Sequence, residues 1–110
     1  MSLEGGAALI WCPFPDEEAA AGAIATLLAE RLVACGNSLP GMRSLFAWQG
    51  EREDSAECGV LLKTCAALLE AAMTRLEDLH PYETPAIMGW PVFSGAGTLR
   101  WLDQETTANC

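Results

Sequence analysis

A chain of 110 residues with six basic and fifteen acidic side chains carries a formal net charge of −9, and 51% of it is hydrophobic. That length fits one domain, that apolar content excludes intrinsic disorder, and that acidity excludes a nucleic-acid-binding basic patch. No apolar run approaches the ~18 residues of a membrane helix, and a single histidine excludes any site built on two within one chain.

Met1–Gly6 lacks the basic and apolar stretches of a secretion signal. Residues 1–6 read as a disordered start to a single domain over 1–110, with cytoplasm as the expected compartment. Ala7–Cys12 is a short apolar run before Pro13 and Pro15, of the length of a buried strand. Asp16 stands where an N-cap belongs, and Glu17 and Glu18 suit the positive end of a helix. Ile24, Leu28, Leu32 and Cys35, with Leu27, recur at helical spacing; Gly36-Asn37 supplies a stop. Leu39-Pro40-Gly41 reads as a turn or bulge, and Met42–Gln49 as a strand. Gly50-Glu51 reads as a tight turn and Glu57–Lys63 as the returning strand, with the charged Glu51–Asp54 cluster at a solvated tip. Thr64 is the expected N-cap of a second helix carrying Leu69, Ala72, Leu76 and Leu79, which ends at His80-Pro81 because a residue before proline leaves the helical region. His80–Pro85 is a rigid polar loop, Ile87–Val92 a short strand, Ser94–Gly97 a loop and Thr98–Glu105 a short final helix anchored by Leu99, Trp101 and Leu102.

The order is that of an α+β, ferredoxin-like βαββαβ chain with a short C-terminal helix. It predicts an antiparallel sheet with two helices on one face, and an opposite face that is either covered by something or exposed. Alanine, with 18 residues, absorbs part of the apolar excess; the remaining Leu, Trp and Met suit a sheet face shared with another copy. The five cysteines are odd in number, without a C-x-x-C pair. They predict free thiols, with Cys35, Cys58 and Cys65 as small buried hydrophobes and Cys110 without a role.

Glu30–Asn37, Leu39-Pro40-Gly41 with Ser44, Trp48-Gln49-Gly50-Glu51, Leu62-Lys63-Thr64, His80–Pro85 and Leu99–Leu102 together resemble the CutA family of divalent-cation tolerance proteins, over roughly Ala7 to Leu102. The resemblance implies a tight homotrimer whose hairpins pair with neighbouring subunits and whose sheets pack inward. It implies a role in tolerance to copper and other divalent metal ions. Cys12 and His80 match the copper site proposed for bacterial members, and Glu83 is an oxygen donor close by in sequence. Leu79 stands where some members have a second histidine, and Ala86 where the family often has glutamate.

Thiolate suits Cu(I), and imidazole suits Cu(II) and zinc. The alternatives are a strand-packing Cys12 and a His80 that hydrogen-bonds a carbonyl at its helix end. A catalytic Cys-His pair needs mutual hydrogen-bond reach and a third orienting group; no protease signature accompanies either residue, so no enzyme is expected. Trp48 reads as an intersubunit anchor, and Lys63 and Tyr82 as further candidates in an intersubunit cleft. That cleft supports a second reading, a signalling or binding module for a small anionic ligand or a protein partner. A structural trimer with an adaptor role is a third. Neither nucleic acid nor membrane is an expected partner.

Overall fold

Side chains alternate along the first strand, and that alternation sorts the molecule into layers. The computed structural model describes residues 5–110. In β1 (Ala7–Phe14), Ala8, Ile10, Cys12 and Phe14 are buried on one face, while Leu9, Trp11 and Pro13 are half-buried on the other. β1 pairs antiparallel with β3 (Glu51–Cys65) and with β4 (Met88–Val92), and β3 pairs antiparallel with β2 (Cys35–Trp48). The sheet order is β2-β3-β1-β4. Two helices, α1 (Glu17–Ala29) and α2 (Leu69–Leu79), cover one face, and α3 (Ala96–Glu105) follows β4. This is the expected ferredoxin-like order with its short last helix. No helix among the described residues is long and apolar enough to cross a membrane.

The main core lies between the sheet and the two covering helices. Ile10, Cys12, Phe14, Cys58, Val60 and Leu62 meet Ala20, Ala23 and Leu27 of α1 and Ala72 and Leu76 of α2. Alanines on the helices let them sit close to the sheet. Gly36 serves the same purpose from β2, since a Cβ there would come within 2.7 Å of Ile24. A second, smaller cluster of Ala7, Cys65 and Leu102, with Leu99, Val92, Ala34, Ala108 and Cys110 around it, seats α3 against the far end of β3.

Several boundaries differ from the sequence reading. Asp16 caps α1 as expected, its carboxylate accepting from Ala19 N–H at 2.8 Å, but the helix stops at Ala29. Arg31 is left-handed (φ 58°), and its guanidinium donates to the carbonyls of Gln104, Glu105 and Thr106 at the end of α3. Cys35 and Gly36 are therefore strand residues and not the end of a helix. Gln49 and Gly50, both with positive φ, make the hairpin turn, one residue earlier than expected. The charged cluster after it is strand, and the bulge falls between Leu39 and Met42. Thr64 does not cap α2; it is buried in β3 and donates to the Leu32 carbonyl at 2.7 Å. A 3-10 turn over Ala66–Leu68 intervenes before the helix.

The expectation of five free thiols is also corrected. Cys65 and Cys110 form a disulfide, because α3 and the residues after it return to the end of β3. Cys12, Cys35 and Cys58 are free. Residues 1–4, in the stretch expected to be disordered, lie outside the described residues. Of the rest of that stretch, the Gly6 carbonyl accepts from Ala66 N–H at 2.7 Å.

The hairpin of β2 and β3 runs beyond the helices as an arm, giving the chain extents of 43 × 25 × 22 Å. Beyond the bulge, β2 is exposed at Leu45, Phe46 and Trp48 (71, 44 and 45%). On the sheet face away from the helices, Leu39, Met88 and Trp90 are exposed as well.

Candidate functional site

The end of β1, the loop after α2 and the middle of β3 meet at one corner of the sheet. Proline fixes the loop: His80, before Pro81, is extended (ψ 137°) and ends α2. The His80 ring then stacks on Phe14, with centroids 4.1 Å apart and planes inclined by 24°.

Both imidazole nitrogens are engaged. Nε2 lies 2.8 Å from the Pro13 carbonyl oxygen, and Nδ1 lies 3.1 Å from Tyr82 N. A carbonyl only accepts and a peptide N–H only donates, so the ring is neutral with its proton on Nε2. Burial pushes its pKa below the ordinary value of 6.5, against smaller upward pulls from the Pro13 carbonyl and Glu57. The Cys12 thiol donates to the same Pro13 carbonyl, at 3.6 Å. Cys12 and His80 therefore do converge, but on a shared acceptor. Burial first, and the Glu57 carboxylate second, push the Cys12 thiol up to about 12.

Tyr82 continues the cluster. Its hydroxyl donates to Glu57 Oε2 at 2.7 Å, and its ring lies 4.8 Å from that of His80. Burial and then this hydrogen bond raise the Tyr82 pKa to about 12. Glu57, only 8% exposed, anchors the loop to β3, and residue types alone did not mark it. It precedes an apolar strand run, and its partner stands 25 residues away, so no local pattern links them.

The other candidates are placed differently. Glu83 is exposed in the loop, and among the described residues no three Cys, His, Asp or Glu side chains gather as a metal site. Trp48 and Tyr82 share an open groove of about 610 Å³, lined also by Arg43, Glu57, Thr84 and Pro85. Arg43 is bound by Asp54 at 2.6 Å. Lys63 pairs with Leu9 and Cys35 toward the other end of β3 and is not part of this groove. The structure thus brings together Cys12, His80 and Tyr82, then Tyr82 and Trp48, but not Lys63 or a third metal donor. As it stands, this donor set does not fit a tightly held metal within one chain, because one candidate donor is a buried thiol with its pKa raised and the other has both ring nitrogens hydrogen-bonded.

Residues 8–105 match the family model described as CutA1 divalent ion tolerance protein. A divalent-cation tolerance protein CutA from Pyrococcus horikoshii is 40% identical over 99 residues, covering 89% of this chain and 96% of that protein. The crystal structure of a divalent ion tolerance protein CutA1 from Ehrlichia chaffeensis superposes with a TM-score of 0.87 at 28% identity, covering 94% of this chain and 98% of that one. A periplasmic divalent cation tolerance protein CutA from Archaeoglobus fulgidus gives 0.85 at 29% identity, over 90% and 97%.

Proposed function

The chain belongs to the CutA1 divalent ion tolerance family, and from that premise we propose that it acts in divalent-metal tolerance as a cytoplasmic homotrimer that contacts copper weakly and catalyses nothing. The observation that carries the metal part is the convergence of Cys12 and His80 on the Pro13 carbonyl. A metal ion taking both must release that carbonyl or the Tyr82 N–H and must displace a thiol proton. Burial pushes the Cys12 thiol up to about 12, so at neutral pH a metal must displace its proton, which limits the affinity of the contact. The same hydrogen bonds argue against a catalytic pair. The only accepting ring nitrogen is turned to Tyr82 N–H, so no base faces the thiol.

The trimer rests on the uncovered sheet face and the protruding arm, whose Phe46, Trp48, Met88 and Trp90 are exposed in one subunit. Aromatic side chains of this kind are enriched where subunits anchor one another. Light scattering is expected to give three times the 11.7 kDa subunit mass; a single-subunit mass overturns the trimer. Titration calorimetry of the reduced protein with copper tests the site. Weak binding that disappears in a Cys12→Ser, His80→Ala double variant supports it, and equal binding by both proteins removes it.

A second reading is favoured by the groove between Trp48 and Tyr82. There the protein is a signalling or binding module whose cleft, with Lys63 contributed across subunits, takes a small anionic ligand or a protein partner. Stabilisation in a thermal-shift screen by an anionic metabolite, and not by metals, selects this reading.

A further inference from the structure

We propose that Cys65 and Cys110 form a reversible redox clasp, a thiol–disulfide exchange site for low-molecular-weight disulfides and thiols that locks or releases α3. The two residues are bridged with their Cα atoms 5.1 Å apart, within the usual range for a disulfide. Their positions are unequal. Cys65 is fully buried under α3, whereas Cys110 is half-buried. Exchange therefore enters at Cys110.

The chemistry balances with a small disulfide as oxidant. The Cys110 thiolate attacks one sulfur of the reagent, forming a mixed disulfide and expelling one small thiol. The Cys65 thiolate then attacks Cys110 Sγ and expels the second. Two protein thiols are oxidised, one small disulfide is reduced to two thiols, and the two protons pass to the leaving thiolates. Reduction by small thiols is the reverse.

What the clasp controls follows from the packing. Cys65 and Cys110 belong to the smaller cluster with Leu102 and Leu99, which is separate from the main core between the sheet and α1 and α2. Opening it leaves that core intact. Besides the packing of Leu99 and Leu102, the segment is tied to the rest by Arg31 to three carbonyls at the end of α3, Thr107 N–H to the Arg31 carbonyl, and the Thr106 hydroxyl 3.3 Å from Cys65 Sγ. Free Cys12 and Cys58 are buried in the main core; Cys35 is the half-buried free thiol, opposite Lys63 on β3, and peptide mapping of a Cys35→Ser variant separates its exchange from that of Cys110.

The test uses the full-length protein equilibrated in buffers of reduced and oxidised glutathione. Alkylation and peptide mapping follow the bridge, and amide hydrogen exchange follows the backbone. A linked Cys65–Cys110 peptide is expected to appear in one two-electron transition. On reduction, exchange is expected to quicken by about 30-fold or more in residues 96–110 only, the lower end of what a disulfide contributes. Cys110→Ser should show the fast pattern in every buffer. A Cys65→Ala, Cys110→Ala double variant should do the same, which guards against an effect of a stranded buried thiol. Absence of the linked peptide under oxidising conditions overturns the clasp. So does equal exchange in both states, or quickened exchange throughout β1 and β3.

Discussion

The two halves of the β2–β3 hairpin obey different rules. Near the helices, β3 is buried at Cys58, Val60 and Leu62, which pack with α1 and α2, and at Thr64, which donates to the Leu32 carbonyl just past α1. Beyond Glu57 the same strand is exposed from Glu51 to Ala56, and β2 opposite it displays Leu45, Phe46 and Trp48. Backbone pairing is continuous through both halves. The difference lies in what covers the side chains. The proximal half is stabilised by its own chain, and the distal half carries the apolar surface of something still to be covered. A two-stranded ribbon alone is marginal in water, so in the proposed trimer this arm would draw its stability from neighbouring copies.

Substitutions can break this contrast or sharpen it. Phe14→Ala in the covered half removes a fully buried ring that also supports His80. It is expected to cost about 3–5 kcal/mol in chemical denaturation. Tyr82→Phe sits at the boundary, where it leaves the buried Glu57 carboxylate without its donor; about 1–3 kcal/mol is expected. The same corner makes the covered half sensitive to acid. The folded His80 is harder to protonate than an ordinary imidazole, so the unfolded chain binds the proton first. Stability is then fully present above 6.5 and falls as pH drops below it, and His80→Gln should flatten this part of the profile. Trp48→Ala on the arm should leave the circular dichroism of the subunit unchanged while shifting light scattering toward smaller species. The smallest effect belongs to Arg43→Ala. Its ion pair with Asp54 joins side chains that are 72% and 48% exposed, and melting curves in high and low salt should scarcely separate variant from parent.

The covered half was also the more legible in sequence. Asp16, Glu17 and Glu18 mark the start of α1 because capping and dipole effects are local, and Leu69, Ala72 and Leu76 mark the buried stripe of α2. The end of α1 misled because Leu32 and Cys35 continue the helical spacing by chance. What stops the helix is Arg31, whose partners at the end of α3 lie more than 70 residues away. The arm was read too short because its charged residues look like a loop when no partner strand is in view. In the site, Cys12, His80 and Tyr82 were visible from resemblance and do come together. Glu57 and the Pro13 carbonyl were not, since one is a single acid in an apolar strand and the other is backbone. The Cys65–Cys110 pairing was equally hidden, because it depends on where α3 returns.

The bulge between Leu39 and Met42 acts as a phase shifter. Before it, even-numbered Gly36 and Ser38 lie opposite Leu62 and Val60, on the helix side. After it, even-numbered Met42, Ser44, Phe46 and Trp48 lie opposite Glu57, Ser55, Glu53 and Glu51, on the side shared with Trp11 and Leu61. One extra residue therefore moves the open-face positions from odd-numbered Leu39 to even-numbered Met42, Ser44, Phe46 and Trp48. Removing Gly41 would heal the bulge, bringing Pro40 opposite Cys58 while Met42 stays opposite Glu57, so the strand would straighten and Phe46 and Trp48 would keep their face. The direction in which the arm leaves the sheet is thus set by chain length at one point, without altering any side chain in the arm.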